Sequence, residues 1–145
     1  MKFLSKSLVE TSKIAKDFLN KISSLKSNQA LIVGLFGDLG SGKTTFTQAV
    51  GKILGIKEVM TSPTFVIEKR YDLTGKYNFK KLIHIDAYRL ESSKEILNLN
   101  FEADLKEPTN LILIEWPEKI IEALPKKLTK IMFTFVGESE RGIEF

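Results

Sequence analysis

At 145 residues, the chain has room for one ordinary core and none for a second independent domain beside it. Hydrophobic residues make up 43% and charged residues 28%, which excludes a disordered chain, and no apolar run approaches the roughly 20 residues that a membrane helix needs. The formal charge is +4, but Lys and Arg are scattered among Asp and Glu in short clusters such as Glu68-Lys69-Arg70 and Lys126-Lys127. That pattern reads as a solvated surface rather than a nucleic-acid stripe.

Residues 1–20 alternate Lys, Glu and apolar residues and lack the apolar middle and cleavage site of a signal peptide; with zero Cys, this favours the cytoplasm. Leu8, Ile14, Phe18, Ile22 and Leu25 recur at helical spacing and predict an amphipathic helix over 8–25, opened by Ser7 with Glu10 three residues on. The continuous apolar run 30–36 predicts a parallel strand buried on both faces. Helical periodicity returns over 43–54, with Phe46, Val50, Ile53 and Leu54 on one side and Gly55 as its stop. Strands are expected over 64–71 and 80–86, joined as a hairpin through the turn residues Asp72-Leu73-Thr74-Gly75. A short helix should begin at Ser92, which has Glu95 three positions later. Residues 110–116 form a second continuous apolar strand, and Pro117 suits the first turn of a helix through Leu124. Two further strands, 128–136 and 141–145, complete the chain. No repeat or linker interrupts it, so the expectation is one α/β domain over 1–145, with a mostly parallel central sheet, antiparallel additions and flanking helices.

Gly37-Asp38-Leu39-Gly40-Ser41-Gly42-Lys43-Thr44 has two glycines five apart followed by Lys and a hydroxyl residue, after a buried strand and at the start of a helix. Each position has a chemical reason. Glycines let the backbone wrap so that successive amides face phosphate oxygens, and the helix start adds a favourable dipole. Lys43 reaches the terminal phosphates and Thr44 offers its hydroxyl to Mg²⁺, with Thr45 one residue further in, near the first phosphate. ATP and Mg²⁺ are therefore the expected ligands of a domain of the P-loop NTPase type.

Such a site needs an acidic group for the metal and something to position the nucleophile. Asp86 and Glu115 each close an apolar strand, where ligands of α/β sheets bind, so either can hold the metal and either can orient water. His84, the only histidine, shares a face with Asp86 by alternation, and a packed or surface histidine is the favoured reading over a catalytic one. Trp116 fits the core equally well as a cover for nucleotide or partner. Thr61-Ser62-Pro63-Thr64-Phe65 lies where nucleotide switches keep a loop sensing the terminal phosphate, although a Pro-set turn explains it slightly better. Small-molecule kinases, regulatory GTPases and non-hydrolysing sensors share the loop. No Asn-Lys-x-Asp guanine-reading sequence is present, and no arginine-rich lid is evident between Leu90 and Thr109.

Residues 37–45 (GDLGSGKTT), Ser62-Pro63-Thr64-Phe65, His84-Ile85-Asp86-Ala87-Tyr88-Arg89-Leu90 and Ile114-Glu115-Trp116-Pro117-Glu118 together resemble the bacterial TsaE (YjeE) family, over nearly the whole chain. The resemblance implies an ATPase required for the threonylcarbamoyl modification of the adenosine next to the anticodon in tRNAs reading codons that begin with A. It would act with the TsaB and TsaD proteins and meet tRNA through that complex, rather than transfer the group itself. Carried across by motif, Gly40 to Thr45 bind phosphates, Thr44 and Glu115 serve Mg²⁺, Asp86 is needed for hydrolysis, and 62–65 form the first switch. Trp116 lies at the nucleotide or partner face. Thr11 and Arg141 match a threonine and a late arginine near the nucleotide, although Gly137-Glu138-Ser139-Glu140-Arg141-Gly142 departs from the usual order of that tail, and Ala87 replaces a larger residue.

Overall fold

Short apolar strands whose side chains alternate between two faces must be covered on both, and that requirement organises this chain. The computed structural model describes residues 1–61, 67–97 and 100–145. In chain order the elements are β1 (Lys2–Ser5), α1 (Leu8–Ser23), β2 (Leu31–Phe36), α2 (Lys43–Ile53), β3 (Glu68–Asp72), β4 (Lys81–Asp86), α3 (Lys94–Leu97), α4 (Phe101–Leu105), β5 (Asn110–Glu115), β6 (Thr129–Gly137) and β7 (Glu140–Glu144). The strands form one sheet in the order β1-β7-β6-β2-β5-β4-β3. Its centre, β6-β2-β5-β4, is parallel, while β7 and β3 run antiparallel to β6 and β4, and β1 pairs antiparallel with β7. The mostly parallel sheet with antiparallel additions is thus the observed one.

Side-chain alternation splits the core into two layers. Along β5, Leu111 and Leu113 face Ile14, Phe18, Phe46 and Val50 of α1 and α2. Ile112 and Ile114 face Ile96 of α3, Phe101 of α4, Ile120 and Leu124. Among the described residues, no helix is long and apolar enough to cross a membrane.

Several elements depart from the sequence expectation. Strand β1 was not foreseen, because four residues are too few to show a period. It joins the sheet through ladder pairs from Lys2↔Glu144 to Ser5↔Arg141, a stack of Phe3 on Phe145 with ring centroids 5.1 Å apart, and the Met1 ammonium donating to the Phe145 carbonyl at 2.6 Å. Helix α1 starts where expected, with the Glu10 amide donating to Ser7 Oγ at 3.1 Å, but ends at Ser23. Ser23 and Ser24 donate their hydroxyls to the Asn20 and Lys21 carbonyls, a side-chain competition that favours termination, and Leu25 is left 56% exposed.

The β3–β4 hairpin forms, with a connection over 73–80 that runs past the turn residues Asp72-Leu73-Thr74-Gly75. The Leu73 amide donates to the Lys80 carbonyl at 2.9 Å, and a 3₁₀ turn, Lys76–Asn78, lies between, with Tyr77 and Asn78 at φ 57° and 68°. Strand β3 begins at Glu68; the earlier part of the predicted strand, 64–66, lies outside the described residues. The segment after Pro117 is 3₁₀ rather than α-helix: Pro117–Ala123 is broken at Ile120 (φ −131°), whose side chain is fully buried against the sheet. Helix α4 was not anticipated.

Candidate functional site

Because β2, β4 and β5 are parallel neighbours, their carboxyl ends share one edge, where Leu35 and Asp86 are each in register with Glu115. At that edge β2 gives way to a glycine loop and then α2. Gly37, Gly40 and Gly42 have φ of 153°, 75° and 104°, a run that side chains resist, which is why the loop is built from glycine. Gly42 caps α2, and having no side chain it leaves the first-turn amides without the usual cap bond.

Gly37 is also sterically closed. A Cβ there would lie 2.6 Å from Ser41 Oγ and 2.7 Å from the Phe133 carbonyl oxygen, the latter being backbone that cannot rotate away. Gly37→Ala is expected to cost about 3 kcal/mol from strain and overpacking, roughly 10 °C in thermal melting. Gly40→Ala meets nothing within 4 Å, so only its φ should cost, about 1 kcal/mol. Equal melting of the two variants would contradict this account.

Lys43 is only 5% exposed. Its ammonium donates to the Gly37 and Asp38 carbonyls at 2.5 and 2.9 Å, approaches Ser41 Oγ at 3.5 Å, and lies 4.4 Å from the centre of the Trp116 ring. Burial pulls its pKa below the ordinary lysine value, while Glu115, Glu118, Asp86 and Asp38 oppose that shift. A desolvated ammonium of this kind gains most from an anion brought to it.

Thr44 Oγ1 donates to Glu115 Oε1 at 2.7 Å, and His84 Nε2 lies 2.6 Å from Glu115 Oε2. Asp86 Oδ1 accepts from the Tyr88 amide at 3.0 Å, and the Tyr88 ring packs on Trp116 with centroids 5.1 Å apart. Across the loop, Arg141 Nε donates to the Gly40 carbonyl at 2.9 Å, and its Nη1 reaches the Gly137 and Glu140 carbonyls at 2.5 and 2.9 Å. Arg141 therefore fastens the β6–β7 turn to the glycine loop.

Lys43, Thr44, Asp86, Tyr88, Glu115 and Arg141 line a cavity of about 650 Å³, within the size range of small-molecule sites. Of the residues singled out from sequence, it gathers Thr11, Leu39, Gly40, Ser41, Gly42, Lys43, Thr44, Thr45, Asp86, Glu115 and Arg141. Asp38 does not line it and takes part through its carbonyl. Trp116 does not line it and adjoins it through Lys43 and Tyr88. Thr11 is at the wall with its hydroxyl already 2.7 Å from Ser5 Oγ. Ser62, Pro63, Thr64 and Phe65 lie outside the described residues. The sequence did not reveal the contribution of Ser5, Lys6, Ser7 and Leu8, which reach the cavity because β1 turns sharply into α1, nor that of Tyr88, two residues past Asp86. His84 is packed, as favoured, at 1% exposure, but it is packed onto Glu115.

The donor set fits a magnesium nucleotide. Among the described residues, no three His, Cys, Asp or Glu side chains gather into an all-protein metal cage. Mg²⁺ bound with phosphates uses one or two protein oxygens, and Thr44 and Glu115 supply such a pair at 2.7 Å beside a buried lysine.

Known proteins are similar to this chain. The sequence model described as "Threonylcarbamoyl adenosine biosynthesis protein TsaE" matches residues 5–143. Proteins named tRNA threonylcarbamoyladenosine biosynthesis protein TsaE are similar: that of Bacillus subtilis is 35% identical, covering 86% of this chain and 75% of the relative. That of Rickettsia felis is 41% identical, covering 91% and 71%. The crystal structure of Bacillus subtilis YdiB superposes with a TM-score of 0.71 at 30% identity, covering 99% of this chain and 82% of the other. A buried lysine in the glycine loop, a hydroxyl–carboxylate pair joining the first turn of α2 to the end of β5, and a family match spanning nearly the whole chain lead to one placement: the chain belongs to the TsaE family of threonylcarbamoyl adenosine biosynthesis proteins.

Proposed function

We propose that the chain is a magnesium-dependent ATPase of cytoplasmic tRNA modification, working with TsaB and TsaD in threonylcarbamoyladenosine formation without transferring the group itself. The observation that carries this reading is the 2.7 Å bond between Thr44 Oγ1 and Glu115 Oε1, which joins the first turn of α2 to the end of β5 beside Lys43. In the proposed site, the first-turn amides and Lys43 hold the phosphates, and Thr44 with Glu115 holds Mg²⁺. The ion supplies charge neutralisation and orientation at the terminal phosphates.

The two carboxylates then divide the work. Both oxygens of Glu115 are engaged, one by Thr44 and one by His84, which suits a fixed metal ligand. Asp86, one strand over and in register with Glu115, is assigned to the attacking water, which it would orient and relieve of a proton. Arg141 and Thr11 are assigned to the walls of the nucleotide cavity, and 62–65 with Trp116 to the switch and partner face.

Phosphate release from ATP tests the reading, measured for the chain alone and with purified TsaB and TsaD, with Mg²⁺ and after chelation. Release should rise when the partners are added and fall to background on chelation. Release that is absent under all conditions, or indifferent to chelation, would overturn the ATPase assignment.

A further inference from the structure

His84 is assigned no contact with nucleotide, metal or water, yet it is among the most enclosed polar side chains of the described residues, 1% exposed on β4. Its Nε2 lies 2.6 Å from Glu115 Oε2, and its Nδ1 is buried without a hydrogen-bond partner. An ionised carboxylate only accepts, so Nε2 must donate. A proton on Nδ1 would be a buried donor with nothing to receive it, and a neutral ring has only one N–H to place. The neutral ring therefore carries its proton on Nε2 and its lone pair on Nδ1.

The consequence falls on Glu115. With Oε2 held from one side by the imidazole and Oε1 bonded to Thr44, the carboxylate has its plane and its presented oxygen fixed before any ligand arrives. A glutamate has three side-chain torsions; the strand backbone restricts the first, but the last, which sets the carboxylate plane, is broad. The rigid partner is a ring on the adjacent parallel strand, where His84 is in register with Leu113, two residues before Glu115 on the same face.

Resting on the assignment of Glu115 to the metal, we propose that His84 is a positioning residue: its Nε2–H fixes the Glu115 carboxylate so that Oε1 and the Thr44 hydroxyl face a divalent cation as a preformed pair. Partners of ligating carboxylates typically change metal affinity by about 10–100-fold when removed. The effect should therefore appear in the metal-dependent part of nucleotide binding and not in binding of the nucleotide alone.

Two measurements test this. The first is calorimetric binding of ATP with Mg²⁺ and with chelator, for the wild-type chain, His84→Leu and His84→Gln. Leucine should reduce the strengthening of binding by Mg²⁺ about tenfold or more and leave the chelated affinity unchanged. Glutamine, whose amide nitrogen can reach the place of Nε2, should restore most of it. Equal weakening with and without Mg²⁺ would mean that His84 only supports packing, and an unchanged Mg²⁺ effect in His84→Leu would overturn the proposal outright.

The second needs no ligand. As the only histidine in the sequence, His84 gives a single set of imidazole ¹⁵N signals. At mildly alkaline pH these should show the Nε2–H tautomer in the wild-type chain and lose that preference in Glu115→Ala. An Nδ1–H tautomer, or a ring indifferent to Glu115→Ala, would overturn the positioning role even if magnesium-dependent binding is intact. Wild-type binding indifferent to Mg²⁺, with the expected tautomer present, would instead remove the metal assignment while the held carboxylate stands.

Discussion

Lys43→Met is expected to abolish phosphate release to within background, a loss of about 10²–10³-fold, while the nucleotide-free protein melts no lower than the parent. The two halves of that result have one cause. Lys43 is 5% exposed, and burial lowers its pKa, so folding without a ligand leaves an ammonium in a site that penalises charge. The Gly37 and Asp38 carbonyls at 2.5 and 2.9 Å and the face of Trp116 compensate in part. Methionine keeps the length of the side chain without that desolvation cost. Against polyphosphate the balance reverses: truncating one member of a buried charge pair costs about 2–5 kcal/mol, a range whose middle is the 10²–10³-fold loss expected here. Phosphate release and a thermal melt on the same preparation check both halves. A variant that loses melting temperature along with activity would show that Lys43 is a structural strut of the loop, not a charge held ready for a ligand.

That poised lysine was legible in the sequence because its signals are local. Glycine at 37, 40 and 42 answers a backbone requirement, and the apolar runs before the loop and before Glu115 announce strands covered on both faces. What the sequence could not supply is proximity between distant elements. Ser5 to Leu8 reach the cavity only because β1 pairs with β7 at the far edge, and a four-residue strand has no period to announce it. Arg141 is 101 residues from Gly40, and the bond between them follows from the β6–β7 hairpin folding back over the loop. The 3₁₀ segment after Pro117 failed for a different reason. Its start has the right residue for an α-helix, but burying Ile120 and Leu124 against the sheet breaks the backbone at Ile120.

His84 shows the limit most clearly. Alternation places it on the face of Asp86, and composition makes a packed histidine the sensible expectation, which is what it is. Its partner is nevertheless Glu115, 31 residues away, a pairing set by β4 and β5 lying side by side. That register leaves Asp86 and Glu115 side by side, and it is the bonds of Glu115 to Thr44 and His84 that give the two carboxylates different surroundings.

Asp86→Asn is expected to keep ATP affinity within a few-fold, with its Mg²⁺ dependence intact, while phosphate release falls about 10²–10⁴-fold, the usual contribution of a positioned general base. The amide is nearly isosteric and keeps an oxygen for the Tyr88 amide, now 3.0 Å from Asp86 Oδ1, so the loop after β4 should hold its shape. What it loses is the charge that would draw a proton from water. Glu115→Gln should behave differently, because it weakens the oxygen shared with Thr44 at 2.7 Å and so lowers metal-dependent binding as well as release. Titrating Mg²⁺ against nucleotide binding for both variants, beside their rates of phosphate release, separates the two carboxylates. If Asp86→Asn loses the Mg²⁺ dependence and Glu115→Gln retains it, the roles are exchanged: the strand-end carboxylate bonded to Thr44 would serve the water and its neighbour the metal.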